Sequence, residues 1–388
     1  MKEKRVGFIG MLAILSIFLL QGGAGNLNPA INSIAQGLEM DPTVVTQVAS
    51  FPSMFAIIIS FIAGRFVGKK IKFRPFLISA ILIFGIGGAL PLVVSTWPVI
   101  LFSRACVGIG IGSFFTLAPS LVLSLYDESK KGHVMGIGSA VATAGGVFVQ
   151  MLSGYLVDIS WHLAFGVHFI GIISLILVAI GLPEPDVSDL EEEQTKTKLP
   201  LGVYINSTIV MLFMMFSIPI IISVSMIIAD RGFGTGLEAG TASSLFTIGG
   251  TVLSLLFGVL YKIFKRYTLA VVLLISVIGM GLVYYSTNLM MVFIGMFVMG
   301  IGLLITPALM MDNNEMVEEK NIVAASSTII IFTNIGNFLA SYLLIFLTNI
   351  SKSMQMDYPA LFITIILMII LTLGGLIIKM NQKNKAKE

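Results

Sequence analysis

The stretch PVILFSRACVGIGIGSFFTLAPSLVLSLY, residues 98–126, is long and apolar enough to cross a lipid bilayer as one helix, which needs about 20 apolar residues. It contains one charged side chain, Arg104, and glycines at 108, 110 and 112. A lone charge in hydrocarbon costs at least about 2.5 kcal/mol on insertion scales. We therefore expect Arg104 to face other helices or a wet cavity.

Composition extends this interpretation to the whole chain. Of 388 residues, 56% are hydrophobic and 11% are charged, which excludes a soluble globular protein. The basic start, MKEKRVGFIGMLAILSIFLL, resembles a signal peptide, but no small-residue cleavage site follows, so we expect it to be retained as the first span. The single Cys106 excludes an intramolecular disulfide.

The hydropathy pattern predicts an all-α polytopic membrane protein with twelve transmembrane helices in two pseudo-symmetric six-helix bundles. We place an N-terminal bundle at 1–182, a cytoplasmic linker at 183–200 and a C-terminal bundle at 201–388. The spans are expected near 6–34, 43–64, 75–95, 98–125, 133–157, 162–182, 203–229, 240–261, 267–286, 289–311, 321–347 and 358–379. Twenty of the 23 Lys and Arg residues then fall on the side of the termini, which predicts cytoplasmic termini in the cell membrane.

The two halves look related to each other. Pro29 and Pro219 are 190 residues apart, Pro119 and Pro307 are 188 apart, and SGYL at 153–156 returns as ASYL at 340–343, an offset of 187. A nearly constant offset is typical of a duplicated transporter with a site between its halves.

Several short motifs resemble the major facilitator superfamily of secondary transporters, in its 12-span bacterial form. Gly64, Gly68 and Lys69 lie in a basic loop similar to that family's glycine-aspartate-basic loop, although Gly68 replaces the aspartate. The salt-bridge latch attributed to that aspartate is therefore not implied here. The remaining matches are the arginine-glycine pattern Arg104, Gly108, Gly110 and Gly112, the glycine pair Gly145 and Gly146 of an antiporter motif whose proline is missing, and the Asp158–Phe165 turn.

The glycines and prolines of these motifs have a physical interpretation without the family. Small residues let helix backbones approach closely in lipid, and proline kinks or interrupts a helix. We assign packing or conformational roles to this set: Gly64, Gly68, Lys69, Gly108, Gly110, Gly112, Gly145, Gly146, Pro29, Pro119, Pro219 and Pro307.

Arg104 has no acidic partner at its depth, because every Asp and Glu falls in a loop or at a span end. Its expected partners are carbonyls, amide side chains, water or an anionic substrate group, and a purely structural arginine is the alternative. The first span offers candidate neighbours on one helical face: Gln21, Gly25, Asn28 and Asn32. Gly22, Gly23, Gly25 and Pro29 also predict that this helix kinks or unwinds.

Polar faces recur in corresponding spans of the two halves. Thr143 and Gln150 share a face with Ser139 and Gly146, and Asn334 and Asn337 share one with Ser327 and Ser341. We expect both faces to line a central cavity, with interhelical hydrogen bonding as the alternative. His168 in the sixth span is a candidate proton relay or a hydrogen-bonded structural residue.

These patterns predict a secondary active transporter of a small anionic or neutral organic solute, coupled to an ion or proton. A drug-efflux proton antiporter is the alternative, and a sensor or scaffold with a transporter fold is a more remote one. We expect no enzyme activity, because no nucleophile and base share a depth. The expected partners are the lipid bilayer, a small-molecule substrate and a coupling proton. We expect no cofactor, metal or nucleic acid, and a monomer.

Overall fold

A computed structural model of the chain describes residues 6–23, 27–185, 199–255, 263–264, 267–318 and 321–385. Over these residues the chain is helical apart from turns and one β-bridge between Val67 and Ile71. The helices are α1 (Phe8–Gly22), α2 (Ile31–Leu38), α3 (Pro42–Phe66), α4 (Phe73–Leu92), α5 (Trp97–Leu125), α6 (Glu128–Ile159), α7 (Trp161–Gly181), α8 (Leu201–Asp230), α9 (Gly236–Leu255), α10 (Thr268–Tyr284), α11 (Leu289–Glu315), α12 (Ile322–Ile350) and α13 (Pro359–Lys385).

Nine of the described helices are long and apolar enough to cross a bilayer, α1 and α10 are shorter apolar helices, and α9 has 20 residues. Together they account for the twelve predicted spans, and the all-α prediction is confirmed. The predicted linker lies mostly outside the described residues, as does Gly25.

The first span is interrupted, as its glycines and proline predict. α1 ends at Gly22, and the helical backbone resumes as a 3-10 turn over Asn28–Ala30 that leads into α2. Pro29 lies in the first turn of this new segment, where its missing N–H costs no helical hydrogen bond. The break separates Gln21 from the helical face that Asn28 and Asn32 occupy, so the expectation of one shared face is wrong for Gln21.

The helix ends follow local side-chain chemistry. Asp41 begins α3 by accepting a hydrogen bond from the backbone N–H of Thr43 at 2.8 Å, and Asn288 begins α11 by accepting one from that of Met291 at 3.0 Å. Gly68 follows α3 with φ +89°, a backbone conformation that a residue with a Cβ adopts at a cost of about 1 kcal/mol or more. The backbone at this position therefore favours glycine.

Glycines hold α5 close to its neighbours. A Cβ on Gly108 would lie 2.2 Å from the carbonyl oxygen of Pro52, and one on Gly112 would lie 2.4 Å from that of Ala56. Similar contacts, all under 3.0 Å, occur at Gly110 with Phe84, at Gly145 with Leu19 and at Gly146 with Gly22. Gly64 differs, since an added Cβ would meet only Thr116 at an ordinary 3.7 Å. Gly64 lies exposed near the end of α3, so close packing against another backbone does not require a glycine there.

The other prolines lie inside helices. Pro119 lies within α5 and Pro219 within α8, and Pro307 follows a 3-10 turn over Ile301–Leu304 in α11. A π-helical turn over Ile83–Gly87 also widens α4 beside α5. Each feature interrupts the regular helical hydrogen bonds locally.

Buried apolar residues form two cores. One, from Ala13 to Leu182, contains only residues of the first half of the chain. The other is formed mainly by the second half and also includes Leu27, Val45 and Phe165. These first-half members lie near the end of the molecule that bears Asp41 and Asp158, which we call the distal end. The two halves are therefore packed together there.

Candidate functional site

Arg104 and His168 form a buried pair inside the first half of the chain. Arg104 lies two turns into α5, and His168 lies at the end of the 3-10 segment that opens α7. The Arg104 Nη2 atom is 2.8 Å from the His168 Nε2 atom. The exposed fractions are 1% for Arg104 and 0% for His168, so this hydrogen bond is shielded from solvent.

The contacts of His168 determine which of its nitrogens carries the proton. A guanidinium group only donates hydrogen bonds, so His168 Nε2 must accept from Arg104. The other nitrogen, Nδ1, is 2.7 Å from the Phe165 carbonyl oxygen and must donate to it. His168 is therefore the neutral Nδ1–H tautomer in this arrangement. Protonation of Nε2 would place two cationic groups in contact and break the bond to Arg104.

The surroundings of the pair fix the imidazole ring. The Phe84 ring lies edge-on with its centroid 5.3 Å from that of His168. A Cβ on Gly88 would come within 2.5 Å of His168 Cγ, so the ring occupies the space that this glycine leaves free. Ser103 donates to the Gly88 carbonyl oxygen at 2.9 Å, which ties α4 to α5. His168 thus has little room to rotate.

The cation is only partly satisfied. Its Cζ lies 6.0 Å from the centroid of the Phe165 ring, at the limit of a cation–π contact. Arg104 Nε has no hydrogen-bond partner among the residues that the structure describes. Over the same residues no ion pair of Arg104 with a carboxylate is present.

The first-span amides do not pair with Arg104. In the described part of the chain its hydrogen-bonded side-chain partner is His168, which takes the place expected for Gln21, Asn28 or Asn32. Gln21 Oε1 is buried and unpaired over the described residues, and Asn28 and Asn32 are half-buried beyond the break. The sequence pointed to both Arg104 and His168 as candidate residues but did not predict their contact.

A second polar set lies between the halves. Gln150 on α6 donates to Thr247 Oγ1 on α9 at 3.1 Å, and the Thr143 and Thr251 hydroxyl oxygens are 3.3 Å apart. Ser244 adds a bond to the Val147 carbonyl oxygen at 3.2 Å. We call Thr143, Gln150, Thr247 and Thr251 the hydroxyl-amide seam. Thr247 and Thr251 were not among the residues predicted from the sequence, although their spacing of four puts them on one face of α9.

Over the described residues, the polar face of α12 forms hydrogen bonds to the first half at Ser341. Ser341 Oγ lies 2.6 Å from Ser50 Oγ and donates to the Thr46 carbonyl oxygen at 2.8 Å. Asn334 instead donates to the Ile330 carbonyl oxygen of its own helix at 3.0 Å. Asn337 Oδ1 is buried and has no partner within the described ranges. The structure therefore does not bring Asn334 and Asn337 into contact with the hydroxyl-amide seam.

A carboxylate joins the two halves at the distal end. Asp158, at the end of α6, accepts hydrogen bonds from the backbone N–H groups of Gly236 at 2.7 Å and Leu237 at 3.1 Å, and from Thr235 Oγ1 at 3.0 Å. It caps the N-terminus of α9, where an anion is favoured by the helix dipole. The backbones also meet here, since a Cβ on Gly154 would lie 2.3 Å from the Gly236 carbonyl oxygen. From Asp158 to Thr143 this contact runs about 22 Å along α6.

Comparison with known proteins identifies the fold. The sequence profile of the Major Facilitator Superfamily matches residues 13–234 and 205–388. The chain belongs to the major facilitator superfamily. A "Probable sugar efflux transporter" of Haemophilus influenzae strain Rd is 24% identical over 287 residues, 70% of each chain. "Multidrug resistance protein 3" of Bacillus subtilis is 25% identical over 185 residues, 45% of this chain and 35% of that protein.

Solved structures of the superfamily have the same fold. An inward-facing bacterial homologue of the lysosomal transporter Spinster superposes with a TM-score of 0.73 at 15% identity, over 97% of both chains. A D-xylose–proton symporter superposes with a TM-score of 0.73 at 16% identity, over 95% of this chain and 96% of the other. The protein is thus a multi-pass membrane transporter of small molecules within the major facilitator superfamily.

Proposed function

We propose that the chain is a secondary active transporter that moves a small neutral or anionic organic solute by alternating access. The bundles at 1–182 and 201–388 would act as the two moving units. Within this class we favour a neutral, hydroxyl-bearing solute. The observation that carries this choice is the hydroxyl-amide seam, which joins the two halves through Gln150, Thr143, Thr247 and Thr251 without any charged side chain.

The seam is suited to a hydroxylated solute because its bonds join groups on opposite halves. Separation of α6 from α9 would leave Gln150, Thr247 and their neighbours without partners, and unpaired polar groups in an apolar setting are costly. A solute with several hydroxyl groups would replace those bonds as the halves part. A purely apolar solute would leave them unsatisfied.

Arg104 and His168 are our proposed coupling pair. Because His168 accepts from Arg104, uptake of a proton requires the pair to separate first. A change in the packing of α4, α5 and α7 would allow this separation and would link the protonation state to conformation. Arg104 would also attract the carboxylate of an anionic solute if α5 moved to expose it.

The distal contacts support a particular state of the transport cycle. The basic residues predict that the termini are cytoplasmic and that the distal end faces outward. Asp158, Ser341 and the Gly154–Gly236 contact hold the halves together at that end. The arrangement then corresponds to a transporter closed to the outside of the cell membrane.

The relatives support two solute classes. Similarity to probable sugar efflux transporters agrees with a neutral hydroxylated solute. Similarity to a multidrug resistance protein supports the alternative, a drug-efflux proton antiporter, although it extends over less than half of this chain. We infer export for both solute classes. If no solute moves, the remaining interpretation is a non-transporting sensor.

The test is solute counterflow in proteoliposomes with labelled pentoses, hexoses and lipophilic cationic dyes. We expect sugar exchange that falls about 3- to 10-fold in Thr247→Val, since one buried hydrogen bond contributes about 1 kcal/mol. Thr208→Val is the matched control, because Thr208 is half-buried and, among the described residues, its hydroxyl bonds only to the Tyr204 carbonyl oxygen of its own helix. Dye exchange without sugar exchange would favour the alternative, and no exchange of any solute would exclude transport.

A further inference from the structure

A small cavity lies at the distal end between the two halves. Its volume is about 220 Å³, and its walls come from α3, α8, α12 and the start of α13.

 The cavity is lined by Thr43, Ser223, Met226, Leu344, Thr348, Tyr358, Pro359, Ala360 and Leu361. At about 30 Å³ per water molecule, this volume holds roughly seven waters.

The lining combines hydroxyl groups with apolar surface and contains no charged side chain. Ser223 has an exposed fraction of 1%, and its Oγ has no hydrogen-bond partner in the part of the chain that the structure describes. A buried hydroxyl without a partner is costly, and a bound group that satisfies it is favoured. Thr43 and Thr348 add two further hydroxyl groups to the same wall.

Tyr358 forms a rigid side of the cavity. Its backbone has φ +47°, a left-handed conformation that is unusual for a residue with a side chain. Its hydroxyl donates to Asp230 Oδ2 at 2.7 Å, and the Arg231 guanidinium lies 5.7 Å from its ring centroid. Burial, followed by the hydrogen bond to Asp230, raises the pKa of Tyr358, so its hydroxyl stays protonated. The ring is therefore held in place without a ligand.

We propose that this cavity binds a small neutral polyol, about the size of a five-carbon sugar alcohol, and that the bound polyol keeps the distal end closed. The hydroxyl groups of the wall would pair with those of the polyol, and its C–H groups would pack on Tyr358 and Leu344. Thr43 belongs to the first half and the other lining residues to the second, so the site is complete only while the halves are together. A ligand of one state shifts the population toward that state. This regulatory role rests on the alternating access proposed above.

The binding test is thermal unfolding of the purified protein with and without xylitol. Polyols also stabilise proteins generally by exclusion from their surface, so matched variants are required. Ser225 is the control for Ser223, because its Oγ is also buried and unpaired over the described residues but does not line the cavity. We expect xylitol to raise Tm equally in the wild type and Ser225→Val, and by about half as much or less in Ser223→Val. Thr348→Val is the second cavity variant if Ser223→Val does not fold.

The closure test uses Ile159→Cys and Leu237→Cys in a Cys106→Ala background, since both side chains are exposed at the distal end on opposite halves. We expect xylitol to increase their disulfide cross-linking, and Ser223→Val to abolish the increase. Equal Tm shifts in all variants, or cross-linking that xylitol does not change, would overturn the proposal. A selective Tm shift with increased cross-linking but no solute flux would retain the polyol site and reject the transport function.

Discussion

At the residue scale, the Arg104–His168 pair shows how a cation is kept in an apolar helix without an acid. Arg104 Nη2 donates to a neutral imidazole, and the imidazole donates to the Phe165 carbonyl oxygen. These two hydrogen bonds leave the positive charge of the guanidinium uncompensated inside the first half. The pair therefore depends on the neutral form of His168.

The pair can be tested by a double-mutant cycle. His168→Leu removes the acceptor of Arg104 Nη2 and should lower the free energy of unfolding by about 2 kcal/mol, the usual contribution of a hydrogen bond to a charged group. Arg104→Met combined with His168→Leu should be less destabilised than His168→Leu alone, because no unpaired cation remains. Reversible unfolding in mixed micelles measures both. Strictly additive losses would show that the two residues are not coupled.

Gly88 gives a second test at this scale. Gly88→Ala would place a Cβ within 2.5 Å of His168 Cγ, which must displace the ring from Arg104. We expect a loss of about 1 to 3 kcal/mol in stability, as for other overpacked sites, together with slower solute flux. Gly281→Ala is the control, because an added Cβ there meets nothing within 4 Å. The same loss in both variants would contradict the steric explanation.

Sequence alone identified Arg104 and His168 but not their contact. The two residues are 64 positions apart on separate helices, and the periodicity of one helix carries no information about which neighbour it faces. The amides of the first span were selected because they share a period, and the break after Gly22 invalidates that reasoning. Contacts within a helix are predictable from spacing, whereas contacts between helices depend on the packing.

At the scale of elements, α6 and α9 form the main described contact between the halves. Gly154 and Gly236 allow the two backbones to meet, Asp158 caps α9, and the hydroxyl-amide seam continues the contact toward Thr143. These contacts are made by small residues, a helix cap and hydroxyl groups. They can separate without exposing a large apolar surface. This contact is suited to repeated opening.

Asp158→Asn tests the contribution of the cap to closure. The amide retains one acceptor oxygen but loses the charge that favours the α9 N-terminus, so we expect closure to weaken by about 1 kcal/mol, or roughly 5-fold. The cross-linking of Ile159→Cys with Leu237→Cys reports this change. Glu238→Gln is the matched control, since Glu238 also binds at the start of α9 but, over the described residues, its carboxylate accepts hydrogen bonds from Thr235 of its own half. Equal losses in the two variants would attribute the effect to α9 alone.

Most elements were predictable because each span is a continuous apolar segment bounded by polar turns. The predicted fourth span at 98–125 corresponds to α5 at Trp97–Leu125. The interruption of the first span was also predictable, since glycines and Pro29 weaken a helix locally. The π-helical turn at Ile83–Gly87 was not, because its hydrogen bonds depend on packing against α5 rather than on local sequence.

At the scale of the whole molecule, the distribution of basic residues predicts the orientation. Lys69 lies in the turn between α3 and α4, on the side of the termini, and Lys352 lies in the distal turn between α12 and α13. Both side chains are exposed. These two lysines report opposite sides of the membrane.

Single cysteines test the orientation in intact cells. In a Cys106→Ala background, we expect a membrane-impermeant maleimide to label Lys352→Cys from outside and to label Lys69→Cys only after permeabilisation. The reason is the excess of Lys and Arg in cytoplasmic loops. Labelling of Lys69→Cys in intact cells would reverse the predicted topology and the assignment of the closed end.

The positive φ of Gly68 limits which residues of the family consensus this loop can accept. Gly68→Asp would introduce the aspartate that the family's basic loop usually carries, but at φ +89° the new Cβ would strain the turn that ends α3. The single substitution Gly68→Asp would therefore not restore the role that the aspartate has in the family. Consensus design of this loop requires the backbone of residues 66–71 to be redesigned as a unit.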